Sequence, residues 1–147
     1  MIGWSFLDKQ DATIRALKDY DSMKYIVDNT SAEIRMATER AASVGVACYE
    51  EHIRGGNKQS GEDRMIAAIE EIDTLKERYR QAVEYLNWFE PAWKQLSEEE
   101  QYILESCYLD EMPYLDVCDH LGIEKSCFYI KKKRALNHLK TLLYGVL

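Results

Sequence analysis

The fold is decided by residues 96–136, which read LSEEEQYILESCYLDEMPYLDVCDHLGIEKSCFYIKKKRAL. Ser97 followed by Glu100 is typical of a helix start, because each side chain can bond the backbone N–H of the other residue. Pro113 suits the first turn of a second helix, and Gly122 suits the left-handed residue of a tight turn. The stretch therefore predicts three consecutive short helices, separated by a proline turn and then by a glycine turn.

The bounds of these helices follow from the same signals. The first helix is predicted to begin at residues 97–98 and to stop at residues 110–113. The second is predicted over residues 113–120, and the third runs from about Lys125 to Tyr144. Apolar residues at helical spacing predict the packing side of the third helix, which consists of Phe128, Ala135, Leu136, Leu139, Leu142 and Leu143.

Charge divides this part of the chain sharply. Residues 97–122 hold eight acidic residues and no lysine or arginine, whereas residues 123–147 hold six basic residues and one acidic residue. The whole chain carries a net charge of −7. An acidic protein that concentrates cations on one helix is expected to direct that helix at a polyanion, with DNA as the leading candidate. The alternative is a solvated basic face near a helix C-terminus, where cations are favourable.

The last two predicted helices have the layout of a helix–turn–helix, in which the N-terminal residues of the second helix face base edges in the major groove. Four residues at the start of that helix have side chains suited to base edges: Lys125, Ser126, Cys127 and Tyr129. Four residues farther along are suited to phosphates: Lys131, Lys132, Lys133 and Arg134.

The first part of the chain is predicted to be helical as well. The chain contains only two prolines and seven glycines, and helix-forming residues are abundant. Apolar residues at helical spacing predict an amphipathic helix over about residues 8–27. Thr30 and Glu33 predict a break and a new capping box after it. Residues 54–63 contain three glycines and no apolar side chain, so they predict a loop.

A long amphipathic helix is predicted after this loop. Its heptad positions a and d are all apolar or aromatic: Met65, Ala68, Ile72, Leu75, Tyr79, Ala82, Leu86, Phe89, Trp93 and Leu96. This seam predicts either packing on the first helices of the same chain or a homodimer through the 65–96 helix. Pro91 lacks a backbone donor and predicts an end or a kink near residues 87–90.

Several function classes find no support in the sequence. No stretch is long and apolar enough for a membrane span and no signal peptide is evident, so we expect a cytoplasmic protein with no membrane partner. A zinc site built from Cys118, His120 and Cys127 would need a distant fourth ligand. The chain has no phosphate loop or nucleophile motif, and its three histidines are isolated. We therefore expect a protein that is not an enzyme and that holds no metal or cofactor.

Residues 96–140 resemble region 4 of bacterial sigma factors. The matching residues are Leu96, Ser97, Glu100, Gln101, Ile103, Leu104, Tyr114, Val117, Cys118, Leu121, Gly122, Ile123, Phe128, Lys133, Arg134, Ala135, Leu136 and Leu139. The chain departs from the pattern at Glu124, where a serine cap is common, and at Lys131, where an apolar residue is common. The layout of the whole chain resembles the phage transcriptional regulators of the ArpU/RinA type.

This resemblance implies a sequence-specific DNA-binding regulator of phage or prophage late genes, acting in a bacterial host cell. Lys125, Ser126, Cys127 and Tyr129 would face the operator, and host RNA polymerase is a second candidate partner.

We accordingly expect an all-α protein with two parts: a helical oligomerisation or interaction part over residues 1–95, and a helix–turn–helix DNA-binding domain over residues 96–147. Two other functions remain open, a DNA-packaging protein similar to a phage small terminase and a protein-interaction module that contacts RNA polymerase.

Overall fold

The computed structural model describes residues 2–55 and 58–145, and this part confirms the all-α prediction. It contains five α-helices, one π-helical turn and no strand. The helices are α1 (Ile2–Ile53), α2 (Lys58–Gln95), α3 (Glu98–Leu104), α4 (Tyr114–Leu121) and α5 (Lys125–Tyr144), and the π-helical turn is Glu105–Leu109.

The chain forms two compact units. The terminal unit consists, in the described part, of residues 2–21 and 86–145, and the hairpin unit consists of residues 22–85. These units are defined by packing. The predicted division into an interaction part over residues 1–95 and a DNA-binding domain over residues 96–147 is defined by function, and it stays a prediction.

The predicted break at Thr30 is wrong, because α1 continues through it. Thr30 is 1% exposed, so its side chain is buried and does not cap a new helix. The neighbouring Asn29 side-chain amide donates to the Tyr25 carbonyl at 2.8 Å, which satisfies this residue within the helix. Burial of Thr30 and the local hydrogen bond of Asn29 therefore override the capping signal.

The second long helix also extends farther than the sequence predicts. α2 begins at Lys58, so the predicted loop over 54–63 is shorter, and residues 56–57 within it lie outside the described part. Gly61, inside α2, packs closely on α1: the Cys48 Sγ lies 3.3 Å from the position a Cβ would take. At the other end, α2 passes through Pro91 to Gln95, so of the two predicted outcomes near residues 87–90 the end is wrong, and the kink stays a prediction. The adjacent Phe89 and Ala92 are both buried, and their packing supports the helix around the proline.

α4 and α5 follow their predicted bounds closely, whereas α3 ends at Leu104 and the π-helical turn takes up the rest of the predicted first helix. Ser97 caps α3: its hydroxyl accepts from the Glu100 backbone N–H at 3.2 Å, and the Glu100 carboxylate accepts from the Ser97 N–H at 3.1 Å. The predicted capping box is therefore confirmed. At the other end of this segment, after the π-helical turn, the Asp110 N–H donates to the Glu105 carbonyl, and Glu111 adopts a left-handed backbone with φ of 50°.

We expect Ser97→Ala to lower the free energy of unfolding by about 1 kcal/mol, because the Glu100 N–H at the start of α3 loses its acceptor. Urea denaturation of the full chain measures this change. Ser126→Ala is the matched control, since Ser126 is exposed in the first turn of α5, where no side chain caps the helix. Equal stability losses in the two variants would contradict the role of the cap.

Gly122 forms the turn between α4 and α5. It has φ of 67° and its N–H donates to the Cys118 carbonyl, as a left-handed helix cap requires. No neighbouring atom lies within 4 Å of the position a Cβ would take, so a substitution there meets only backbone strain.

We expect Gly122→Ala to lower the free energy of unfolding by about 1–2 kcal/mol, the usual cost of a left-handed backbone with a Cβ. The control is Gly45→Ala inside α1, where an added Cβ would make an ordinary contact at 3.7 Å with Met65 Sδ. That control should raise stability by about 1 kcal/mol, because alanine is the better helix former. Thermal unfolding measures both changes. A lower stability for Gly122→Ala together with a higher stability for Gly45→Ala supports the left-handed role of Gly122, and a loss of stability in both variants would contradict it.

The terminal unit contains the large buried side chains. One cluster joins α3, α4 and α5 through Ile103, Val117, Cys118 and Phe128. A second group of aromatic residues joins α1 to α2: Tyr20 lies edge-on to Phe89 with ring centroids 4.7 Å apart, and Phe89 stacks on Trp93 at 5.9 Å. The hydroxyl of Tyr20 also donates to Glu90 at 3.3 Å.

The hairpin unit is built differently. Here α1 and α2 run antiparallel, as the ion pairs Arg40–Glu71 at 2.6 Å and Glu51–Arg64 at 2.5 Å indicate. Among the side chains described between residues 22 and 85, none larger than threonine is buried. The Sδ of Met65, a residue of the predicted seam, lies 3.7 Å from the position that a Cβ on Gly45 of the same chain would take. The homodimer through this helix stays a prediction.

Candidate nucleic-acid interface

The rotation of α5 about its axis is fixed by the residues it buries. Phe128 is 2% exposed and packs with Ile103 of α3 and Val117 of α4. Ala135, Leu136 and Leu139 are buried along the same side of α5, as the sequence predicts, whereas Leu142 is exposed. Once this side is turned into the unit, the opposite side of α5 faces solvent.

The outer face of α5, as we call it, consists of Ser126, Tyr129, Ile130 and Lys133. These four residues have the spacing i, i+3, i+4 and i+7, which brings them onto one side of a helix. All four are exposed, and Tyr129 and Ile130 are 48% and 52% exposed. The outer face thus combines two hydroxyl groups, one aliphatic side chain and one cation.

The basic run does not act as a single patch, because Lys131 and Lys132 are turned back towards the terminal unit. The Lys131 ammonium forms an ion pair with the Glu99 carboxylate of α3. The hydrogen bond to Glu99 raises the pKa of the Lys131 amine. Because this cation already has a carboxylate partner, Lys131 serves to join α5 to α3.

Lys132 lies on the other side of the helix. Its Nζ is 5.2 Å from the centroid of the Tyr108 ring, within the range of a cation–π contact. Burial raises the pKa of the Tyr108 hydroxyl and also that of the neighbouring Cys107 thiol, although Lys132 acts in the opposite direction on Cys107. Lys132 is half-buried and covers this aromatic surface with its aliphatic stem.

The other two cations of the run are directed outward. Lys133 and Arg134 are both exposed, and within the described part of the chain neither forms an ion pair. Arg134 lines a shallow depression together with Glu99 and Lys131. The predicted set of four phosphate-binding residues therefore contains two that contact their own unit and two that are available to an external anion.

The four residues predicted to read bases differ in how exposed they are. Lys125 is exposed, with its Nζ 5.1 Å from the centroid of the Tyr114 ring, and Tyr129 lies 6.1 Å from the same ring. Ser126 is fully on the outside, whereas Cys127 is half-buried. Tyr114 of α4 thus holds the start of α5 in position by contacting both Lys125 and Tyr129.

A second contact between α3 and α5 involves Glu100. Its carboxylate lies 2.8 Å from the His138 Nδ1 and also accepts from the Ser97 N–H. Burial alone would raise the pKa of Glu100, but the hydrogen bonds from Ser97 and His138 lower it on balance. The carboxylates of Glu99 and Glu100 on α3 therefore hold α5 through Lys131 and His138.

The three residues considered for zinc are not arranged as a site. Cys118 is buried in the core, and His120 stacks on the Tyr102 ring at 4.5 Å. In the part of the chain that the structure describes, no group of three or more histidine, cysteine or acidic side chains is positioned to hold a metal ion. A search of the same part finds no helix with the length and apolar content of a membrane span.

The sequence interpretation did not include Ile130 among the site residues. Its spacing from Ser126 and Lys133 was visible in the sequence, but isoleucine is ordinarily assigned to a core. The predicted packing side, which includes Phe128, Ala135 and Leu136, is the signal that could have found it, because these buried residues leave Ile130 outside.

Comparison with known proteins gives one family. No curated protein and no solved structure matches the chain. One family profile, described as a protein of unknown function (DUF1492), matches residues 45–140. The match runs from the end of α1 through α2, α3 and α4 to most of α5, so it includes the outer face and the helices that orient it. Since it spans more than half of the sequence, the chain belongs to the DUF1492 family.

Proposed function

We propose that this protein binds double-stranded DNA through the outer face of α5 and acts as a sequence-specific transcriptional regulator of phage or prophage late genes. The observation that carries the proposal is the exposure of Lys133 on the outer face and of Arg134 next to it. A helix that presents hydroxyl, aliphatic and cationic side chains on one side can meet both base edges and phosphates in a major groove.

The packing around α5 supports this proposal. The glycine turn at Gly122 starts α5 directly after α4, and the cluster around Phe128 holds the two helices together. The first turns of α5 therefore project from a packed support, as a recognition helix requires. Lys125, adjacent to Tyr114, and Cys127 remain candidates for base contacts at the edge of this face.

The charge of α4 sets the direction from which DNA would approach. Asp116 and Asp119 are exposed on α4, and Glu111 is exposed in the turn before it. Phosphates near these carboxylates would be repelled, whereas Lys133 and Arg134 attract them. The proposed complex therefore brings the duplex to α5 and keeps its backbone away from the exposed surface of α4.

We expect the double variant Lys133→Gln/Arg134→Gln to weaken duplex binding by about tenfold or more at low salt. It should also reduce the slope of log K against log salt by about 2, because each cation neutralises about one phosphate. The measurement is a fluorescence anisotropy titration of the full chain with mixed-sequence duplexes at several salt concentrations.

The matched control is Arg15→Gln/Lys18→Gln, which changes the net charge equally at two exposed positions of α1. It should leave the salt slope within about 0.5 of the original chain, since only direct phosphate contacts release counterions. Equal slopes for both double variants would contradict the assignment of phosphate contacts to α5.

A second candidate function is a protein-interaction module that contacts RNA polymerase. The observation that favours it is Leu115, which is 59% exposed on α4 beside Asp116. An apolar side chain with acidic neighbours suits a basic protein surface better than a nucleic acid. Under this alternative, binding to RNA polymerase would be lost in Leu115→Ala, and no duplex would bind at low salt.

A DNA-packaging role similar to that of a phage small terminase uses the same DNA-binding helix but a different assembly. Mass photometry of the full chain separates the two roles. A ring of many subunits would favour packaging, whereas a monomer or a homodimer would favour the regulator.

A further inference from the structure

Ile130 is an exposed isoleucine at the centre of the outer face of α5. Ser126 lies about one turn before it and Lys133 about one turn after it, and Tyr129 presents an exposed aromatic ring beside it. A single apolar side chain on a surface needs no explanation. This one, however, lies between a hydroxyl and a cation on a helix whose other sides contact the protein itself.

We propose that Ile130 reads thymine, by packing its side chain against the thymine 5-methyl group in the major groove; this inference rests on the proposed function. The thymine methyl is the apolar group that base pairs present in that groove, so it is the natural contact for an aliphatic side chain. The preferred ligand is therefore a duplex with thymine at the position facing the second turn of α5.

The charges around Ile130 favour this occupant over an apolar protein partner. Lys133 and Arg134 follow Ile130 within one turn, and both are available to phosphates. Phosphate contacts from these residues would hold α5 in the groove with Ile130 directed at the base pairs. Ser126 is positioned on the same face to hydrogen-bond a neighbouring base edge.

The experiment separates the methyl group from every other feature of the sequence. A random-sequence duplex pool is enriched on the full chain at low salt and then copied twice, once with dTTP and once with dUTP, which lacks the methyl. We expect the thymine pool to bind about fourfold more tightly for each methyl contacted. In Ile130→Ala, binding to the thymine pool should fall by a similar factor, and the difference between the two pools should disappear.

The control variant is Leu142→Ala, which removes an exposed aliphatic side chain near the other end of α5. It should keep the full difference between the pools. Equal binding of the original chain to both pools, or an Ile130→Ala variant that keeps the difference, would overturn the thymine assignment while DNA binding stands. Failure to enrich any duplex with the helical fold intact would instead overturn the proposed function, so the two failures are distinguishable.

Discussion

Phe128→Ala is expected to lower the free energy of unfolding by about 3–5 kcal/mol, since it removes a buried aromatic ring and leaves a cavity. Phe128 is 2% exposed and lies in the cluster with Ile103, Val117 and Cys118, which joins three helices. Phe128 is the largest of the four buried side chains of that cluster, so its truncation leaves the largest void. Urea denaturation followed by circular dichroism measures the loss.

The size of this loss is large relative to the stability of an ordinary domain, which is about 5–15 kcal/mol. The matched control is Tyr129→Ala, which removes the adjacent aromatic ring from an exposed position. It should cost about 1 kcal/mol, because Tyr129 loses only its ring contacts with Tyr114 and Phe128. Losses of similar size at both positions would mean that Phe128 is not the residue that holds α5 on α3 and α4.

Phe89→Ala is expected to have an effect of the same order, about 3–5 kcal/mol, at a different place in the terminal unit. Phe89 is fully buried and contacts the rings of Tyr20 and Trp93. Removing it leaves a cavity where Tyr20 of α1 packs on the last turns of α2. Thermal unfolding of the full chain, monitored by tryptophan fluorescence, reports this change because Trp93 is part of the cluster.

The control for this variant is Tyr25→Ala, since Tyr25 is an aromatic residue of α1 that is 63% exposed. Its loss should change the free energy of unfolding by about 0.5 kcal/mol or less. If Phe89→Ala behaved like Tyr25→Ala, the contact of α1 with α2 at this position would not contribute to stability.

The part of the fold that sequence predicts well depends on local signals. Ser97 and Glu100 determine the start of α3, and Gly122 determines the turn after α4. These signals act within one helical turn, so no knowledge of the tertiary structure is needed to interpret them.

The long helices show where local signals lose to packing. Asn29 and Thr30 favour a cap in isolation, yet both lie inside α1 because one bonds locally and the other is buried. Pro91 removes one backbone donor, but α2 continues because buried neighbours on both sides are worth more than one hydrogen bond. Such outcomes depend on residues distant in sequence.

The sequence predicts which helix carries the candidate site and which side of that helix faces inward, but it does not predict which of its cations are available. The charge pattern identifies α5, whereas the division of Lys131–Arg134 into two inward and two outward cations depends on Glu99 and Tyr108. Glu99 is separated from Lys131 by the whole of α4, so no local pattern could pair them.

The arrangement of the terminal unit has a consequence for how the chain folds. Its two segments are separated by the whole hairpin unit, so the cluster of Tyr20, Phe89 and Trp93 closes a long loop. The entropic cost of loop closure rises with the length of flexible chain between the contacting residues. Pairing of α1 with α2 near residues 51 and 64 is a short-range event that shortens this loop before it closes. During synthesis, Tyr20 must therefore wait for the chain beyond Leu86 before its ring can pack on Phe89 and Trp93.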